Sequence, residues 1–293
     1  MQAIDRIIFG DNQFFGINHM SQEKAQQLAE KFFDINAVYR VYDMAFEAGI
    51  RAVMLNSNDR AKDICSYFRE NKGKYQDIAW YPSIPYPHKY ANLVAEKGIF
   101  PAIGEILFKN NSAKDVLGMI AKGGMAVLGK DTVKMMQMLI DTEMKIFKGL
   151  NIKAVFLQNI ITDLILGYGI REIFFEYCEH IRKEYKVLPG LITQNMPFLL
   201  KKLNEWEIRE VVICSSFNKI GYLMSPDVES YIETAKKNNS ADYQLIAMST
   251  LASGAIPAKE AYNFINQQNI QAVVFGASDK RHIEETVGLI EFY

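Results

Sequence analysis

The chain is poor in the residues that staple small folds or bind metals. Its 293 residues include three cysteines and four histidines. Cys65, Cys178 and Cys214 stand far apart. That excludes a disulfide framework and a cysteine zinc knuckle, and it suits a reducing compartment. Charge of one sign is also missing: 33 Lys and Arg against 34 Asp and Glu leave a net charge of −1. No broad positive field is available to hold a nucleic acid or another polyanion. No apolar run approaches the roughly 20 residues that a membrane span needs. The opening Met1-Gln-Ala-Ile-Asp-Arg has neither the basic flank nor the apolar core of a signal peptide. Low-complexity tracts and linker-like charge runs are lacking too. One cytoplasmic domain with a small-molecule ligand is expected, with no nucleic acid and no membrane partner.

What is present is an alternation of short apolar runs and amphipathic segments. Residues 6–10, 51–58, 78–87, 152–159, 188–193 and 210–215 read as strands. Helices are predicted over 36–49, 59–71, 132–150, 171–185, 197–206 and 226–238. Two final units follow: Tyr243-Gln-Leu-Ile-Ala-Met runs into Ser-Thr-Leu-Ala-Ser-Gly, and Gln271-Ala-Val-Val-Phe runs into Gly-Ala-Ser. Continuously apolar strands joined by helices are parallel strands buried on both faces. Eight such units make a (β/α)8 TIM barrel, an α/β fold, with a doubly wound sheet as the alternative. The stretch between the third and fourth strands is longer than a crossover requires, so 88–133 is expected to be an insertion or lid.

In a barrel the chemistry collects at the C-terminal strand ends. Those ends carry mainly amides and hydroxyls, among them Asn12, Asn56, Asn58, Gln158 and Asn159. Such groups donate and accept without titrating, which suits a neutral hydroxylated or amide-bearing substrate. Few neighbours can move a proton. Asp11 follows the first strand and precedes Phe14 and Phe15, which would desolvate it and lift its pKa toward that of a general base. His19 and Tyr81 are the other catalytic candidates. No pair among Asp11, His19, Asp59 and His88 has a recognised ligand spacing, so no metal is expected.

The last two loops point to an anion. Ser253 and Gly254 in one, and Gly276, Ala277 and Ser278 in the other, are small residues where a ligand could meet the backbone. Lys280 and Arg281 open the last helix, and a helix N-terminus beside basic side chains favours a phosphate.

These residues also resemble a family. Ala247-Met-Ser-Thr-Leu-Ala-Ser-Gly is similar to the aldo/keto reductase segment Ala-Tyr-Ser-Pro-Leu-Ala-Ser-Gly. Val274-Phe-Gly-Ala-Ser with His282-Ile-Glu-Glu-Thr resembles that family's closing Ile-Pro-Gly-Ala-Ser and Gln-Ile-Glu-Glu-Asn. Thr193-Gln-Asn-Met and Phe217-Asn218 resemble its Val-Ser-Asn-Phe and Tyr-Asn. The resemblance implies an NADP(H)-type barrel. Gln194 and Asn195 would hold the carboxamide, Ser249, Leu251 and Ser278 the pyrophosphate or its surroundings, and Asn218 is a further cofactor-binding residue. The family's proton-transfer set of Asp, Tyr, Lys and His aligns with Asn56, Ala61, Tyr81 and Gln158, so all four are replaced and that mechanism cannot run. Met248 stands where an aromatic would stack on the nicotinamide, and Cys214 where a cofactor Gln is usual. Three readings remain open at this level: an oxidoreductase with non-standard residues, an isomerase or lyase, and a non-catalytic binding barrel.

Overall fold

The computed structural model describes residues 1–15, 22–86 and 130–291. Its strands are β1 (Ile7–Phe9), β2 (Ala52–Asn56), β3 (Ala79–Ile84), β4 (Asn151–Ile152 continuing as Ala154–Leu157), β5 (Leu188–Thr193), β6 (Val211–Ser216), β7 (Tyr243–Met248) and β8 (Ala272–Phe275). Each pairs in parallel with the next, and β8 pairs with β1, so the sheet closes as a (β/α)8 barrel.

Side-chain parity along the strands separates two apolar layers. Ile8, Met54, Tyr81, Phe156, Cys214 and Ile246 fill the lumen. Phe9, Val53, Trp80, Val155, Ile213 and Leu245 face outward into the larger core under the helices. That outer core is covered by α1 (Gln22–Lys31), α2 (Ile35–Glu47), α3 (Ala61–Glu70), α4 (Lys130–Met144), α5 (Asn159–Tyr168), α6 (Arg171–His180), α7 (Met196–Glu205), α8 (Val228–Lys237), α9 (Ala258–Asn266) and α10 (Lys280–Glu291). Helix α2 shows the logic. Asp34 caps it by accepting from the Asn36 N–H, Val38, Val41, Tyr42 and Ala45 form its buried stripe, and Gly49 leaves it at φ 93°.

Two expectations need adjustment, and a third falls mostly outside the described residues. Helix α5 was not anticipated: Asn159-Ile-Ile-Thr-Asp-Leu-Ile-Leu-Gly-Tyr is apolar nearly all round, so no 3.6-residue stripe marks it. The helix expected to run to Leu150 stops at Met144 and tightens into a 3-10 turn over Lys145–Phe147. The insertion or lid expected over 88–133 lies outside the described residues up to 129, and from Lys130 the chain is already α4.

The N-terminal pole of the barrel is sealed by the first six residues. Gln244 donates to the Gln2 carbonyl and accepts from the Ile4 N–H. Tyr81 points down the lumen to this pole, where its hydroxyl donates to Asp5 Oδ2 at 2.5 Å and accepts from the Asp5 N–H at 3.0 Å. Lys153, at the break in β4, holds the same carboxylate at 2.9 Å. Asp5→Ala strips Tyr81 and Lys153 of their acceptor at once. A loss of about 2 kcal/mol is expected in urea unfolding, with Asp5→Asn recovering part of it; an unchanged midpoint would mean the seal adds nothing.

Candidate functional site

Asp11 sits where β1 gives way to the mouth. The Gly10 N–H still bonds across to the Phe275 carbonyl at 2.8 Å, and then the chain turns through one 3-10 turn, Asn12–Phe15. This turn drives Phe14 into the core, with ring centroids 5.1 Å from both Phe32 and Tyr42. Asp11 is 3% exposed, with Tyr42 of that aromatic group close enough to interact with it. Its carboxylate is held by amides. Oδ2 accepts from the Asn56 backbone N–H at 2.8 Å, Oδ1 from Asn56 Nδ2 at 2.6 Å, and Asn58 Nδ2 stands 3.5 Å from Oδ2. Burial lifts the Asp11 pKa from 3.8 to about 7, against the opposing pull of the Asn56 hydrogen bonds. Beside it the Tyr42 hydroxyl is buried with no hydrogen-bond partner among the described residues, its pKa pushed well up by burial and by Asp11.

The amides extend the network across three strands. Gln158, after β4, donates through Nε2 to Asn56 Oδ1 and to Ser83 Oγ at 2.7 Å. Asn56 and Ser83 are register partners on β2 and β3. Outside this cluster a groove of about 510 Å3 opens between the β1 and β2 loops, lined by Phe14, Phe15, Phe33, Asn58, Asp59, Arg60 and Tyr86. Asn58 belongs to both the groove and the Asp11 cluster. A ligand in the groove would therefore be separated from the buried Asp11 carboxylate by the Asn58 side chain.

The other expected residues disperse. Tyr81 pairs in register with Met54, one layer below Asn56 and Ser83, and its hydroxyl points to the opposite pole. It is not in the mouth; the residue of β3 that reaches the Asp11 network is Ser83, two positions on with the same parity. His19 and His88 lie outside the described residues. Asn12 is exposed on the 3-10 turn, and Asn159 opens α5.

At the closing loops most of the polar groups have internal partners. Asn195 caps α7 by accepting from the Phe198 N–H, and Asn218 clips its own loop by bonding both ways with Tyr222. The Gln194 backbone donates to Asp163 and accepts from Tyr231. Asp163, which sequence spacing gave no reason to single out, also accepts from the Thr193 hydroxyl at 2.5 Å, and burial raises its pKa. Cys214 is fully buried in the lumen. After β7 the backbone turns through Ser249, Ala252 and Ser253, all at positive φ, and through Gly254 at φ 92°. The N–H groups of Ala252, Gly254 and Ile256 bond back to Ser249 and Leu251. Gly276 is small for an internal reason: a Cβ there would collide with the Gln13 amide oxygen. That oxygen is itself buried without a partner among the described residues. At the start of α10 the Asp279 carboxylate caps the His282 N–H at 3.1 Å, and Lys280 lies near Glu47 and Glu284. Lys31 reaches the Ser278 carbonyl at 2.9 Å, with Arg281 exposed nearby along the chain.

Among the described residues no cluster of three or more His, Cys, Asp or Glu side chains could hold a metal ion. Among the same residues no helix is long and apolar enough to cross a membrane.

No sequence-family model and no curated protein sequence matches the chain. Solved structures do. A Pseudomonas aeruginosa protein assigned to the aldo-keto reductases superposes with a TM-score of 0.62 at 12% identity, over 98% of this chain and 90% of its own. A protein assigned as a 2,5-diketo-D-gluconic acid reductase B gives 0.56 at 13%, covering 98% and 82%. An aldo-keto reductase from Bacillus halodurans, in its holo form, gives 0.54 at 11%, covering 98% and 87%. Likeness at these identities establishes the architecture: the chain has the aldo/keto reductase fold.

Proposed function

We propose that the chain is a divergent relative of the aldo/keto reductases that catalyses proton transfer with Asp11 as general base. The step is of the isomerase or lyase kind, on a small hydroxylated carbonyl compound. The observation that carries this reading is the buried carboxylate of Asp11, lifted to about 7, held by amide donors and joined to an open groove through Asn58. A base is most effective when its pKa lies near the working pH. Asn56 and Asn58 give their N–H groups to Asp11 and to the Asn56 carbonyl, so their part in this reading is to hold the base in place.

Several of the residues expected around a nicotinamide ring weigh against one. Asn195 and Asn218 are occupied by their own loops, Cys214 is sealed in the lumen, and Met248 offers no aromatic face. A phosphate has more support: Lys31 reaches the Ser278 carbonyl, and Lys280 and Arg281 follow in sequence at the start of α10, although Lys280 lies near Glu47 and Glu284. These cations support a phosphorylated substrate, and they are also what favours the second reading, an NADP(H)-dependent oxidoreductase.

Hydroxy-carbonyl metabolites, with and without a phosphate, are to be incubated with the protein in D2O, and carbon-bound deuterium read by mass spectrometry. Exchange is expected without added nicotinamide and is expected to be 10²–10⁴-fold slower in Asp11→Asn. Turnover seen only as NADPH oxidation, with no exchange in its absence, would hand the site to the second reading.

A further inference from the structure

Gln158 occupies a position where its side chain has an obvious local task and does not perform it. It is the N-cap of α5, yet it makes no side-chain capping bond; its carbonyl alone starts the helix by accepting from Ile161 and Thr162. The side chain, 7% exposed, instead reaches over β3 to β2. An amide nitrogen carries two hydrogens. One is given to Asn56 Oδ1 and the other to Ser83 Oγ at 2.7 Å, with the Ser83 carbonyl at 3.4 Å.

This arrangement has one sense. With Gln158 donating, Asn56 must present its oxygen to Gln158 and its Nδ2 to Asp11 Oδ1. Turning the Asn56 amide over would oppose nitrogen to nitrogen on one side and oxygen to oxygen on the other. Turning Gln158 over would oppose its oxygen to Asn56 Oδ1, and the Ser83 carbonyl, which only accepts, resists the same rotation. From Gln158 through Asn56 to Asp11 the side-chain N–H groups thus run one way, toward the carboxylate, while the second Gln158 hydrogen is anchored on Ser83.

We infer that Gln158, anchored by Ser83, is a positioning residue for Asp11: it locks the Asn56 amide so that its Nδ2 stays turned to the carboxylate and the proton acceptor keeps a fixed orientation. The inference deepens the reading of Asp11 as base and rests on it for its functional meaning. The hydrogen-bond mechanism is tested without turnover, so the two can fail separately.

The other titratable groups that act on Asp11 from packed elements are Tyr42 on α2 and Tyr86 after β3, with Asp59 acting in turn on Tyr86. Both phenols are raised and stay neutral around neutrality, so neither masks the effect. The test is a pH titration of the Asp11 carboxyl by 13C NMR in the full chain carrying labelled aspartate. Gln158→Met keeps the length and removes the donors. It is expected to raise the Asp11 proton affinity at least threefold, a midpoint shift of half a unit or more, because Asn56 is then free to turn its oxygen to Asp11. Ser83→Ala is expected to move the midpoint the same way by less, and Ser83→Thr, which keeps the hydroxyl, to leave it in place. A merely structural role would lower stability and leave the midpoint alone. Should Gln158→Met fail to fold, Ser83→Ala against Ser83→Thr decides. A midpoint unmoved or lowered in the folded variants overturns the inference, whether or not the deuterium-exchange experiment succeeds.

Discussion

Between pH 4 and pH 7, wild-type protein is expected to lose about 4 kcal/mol of stability relative to Asp11→Asn. The sign follows from proton counts. Asp11 is at about 7 in the folded chain and at its ordinary 3.8 when unfolded, so between those values the folded state holds the extra proton. Stability from this group is complete below pH 4, falls as pH rises through 7, and is constant above that. The substitution also alters the bond to Asn56, but that offset does not change with pH and leaves the slope intact. Urea unfolding of both proteins at half-unit intervals supplies the difference curve. A flat curve would mean that Asp11 is ionised throughout and poorly suited to accept a proton at neutral pH.

Gly190→Ala is expected to cost about 3 kcal/mol, the upper end of what overpacking in a tight core does. Gly190 faces the lumen on β5, and a Cβ there would lie 2.5–2.7 Å from three ring atoms of Phe156. Neither side has room to give. Phe156 is fully buried with the Tyr81 ring beside it, centroids 6.3 Å apart. The Gly190 carbonyl is approached from outside by the Tyr177 hydroxyl at 3.0 Å, which shares its one hydrogen between that carbonyl and the Val155 carbonyl at 2.6 Å. Calorimetry should show Tm lowered by roughly 5–10 °C. Gly288→Ala is the control: a Cβ there meets nothing within 4 Å, and the residue is inside α10, so a small gain is expected from helix propensity. Equal effects at the two positions would show that the lumen is looser than its geometry indicates.

The barrel was legible because its information is local and repeated. Strands such as Val211-Val-Ile-Cys-Ser-Ser are apolar on both faces, and each is followed by a turn and an amphipathic helix. Asp11 was also legible, since a carboxylate set directly between a strand and two phenylalanines has few ways to stay wet. What sequence could not supply was depth. Tyr81 and Ser83 share a parity, and only the register with β2 tells which one reaches the mouth and which one reaches Asp5. Small residues were ambiguous in the same way. Gly276 reads as an invitation to a ligand, whereas it leaves space for Gln13, a contact that depends on the closure of β8 against β1. The amides Asn195 and Asn218 were legible as polar groups near strand ends, but their use as a cap and a loop clip depends on local backbone geometry.

The idea on which the functional account depends is that a carboxyl at the end of β1 exchanges a proton near neutral pH. Wild-type protein carrying 13C-labelled aspartate, assigned by loss of one signal in Asp11→Asn, can be titrated from pH 3 to 9 by NMR. The account expects the Asp11 carboxyl to change state with a midpoint near 7 while the exposed aspartates titrate near 4. A midpoint below 5 would contradict it.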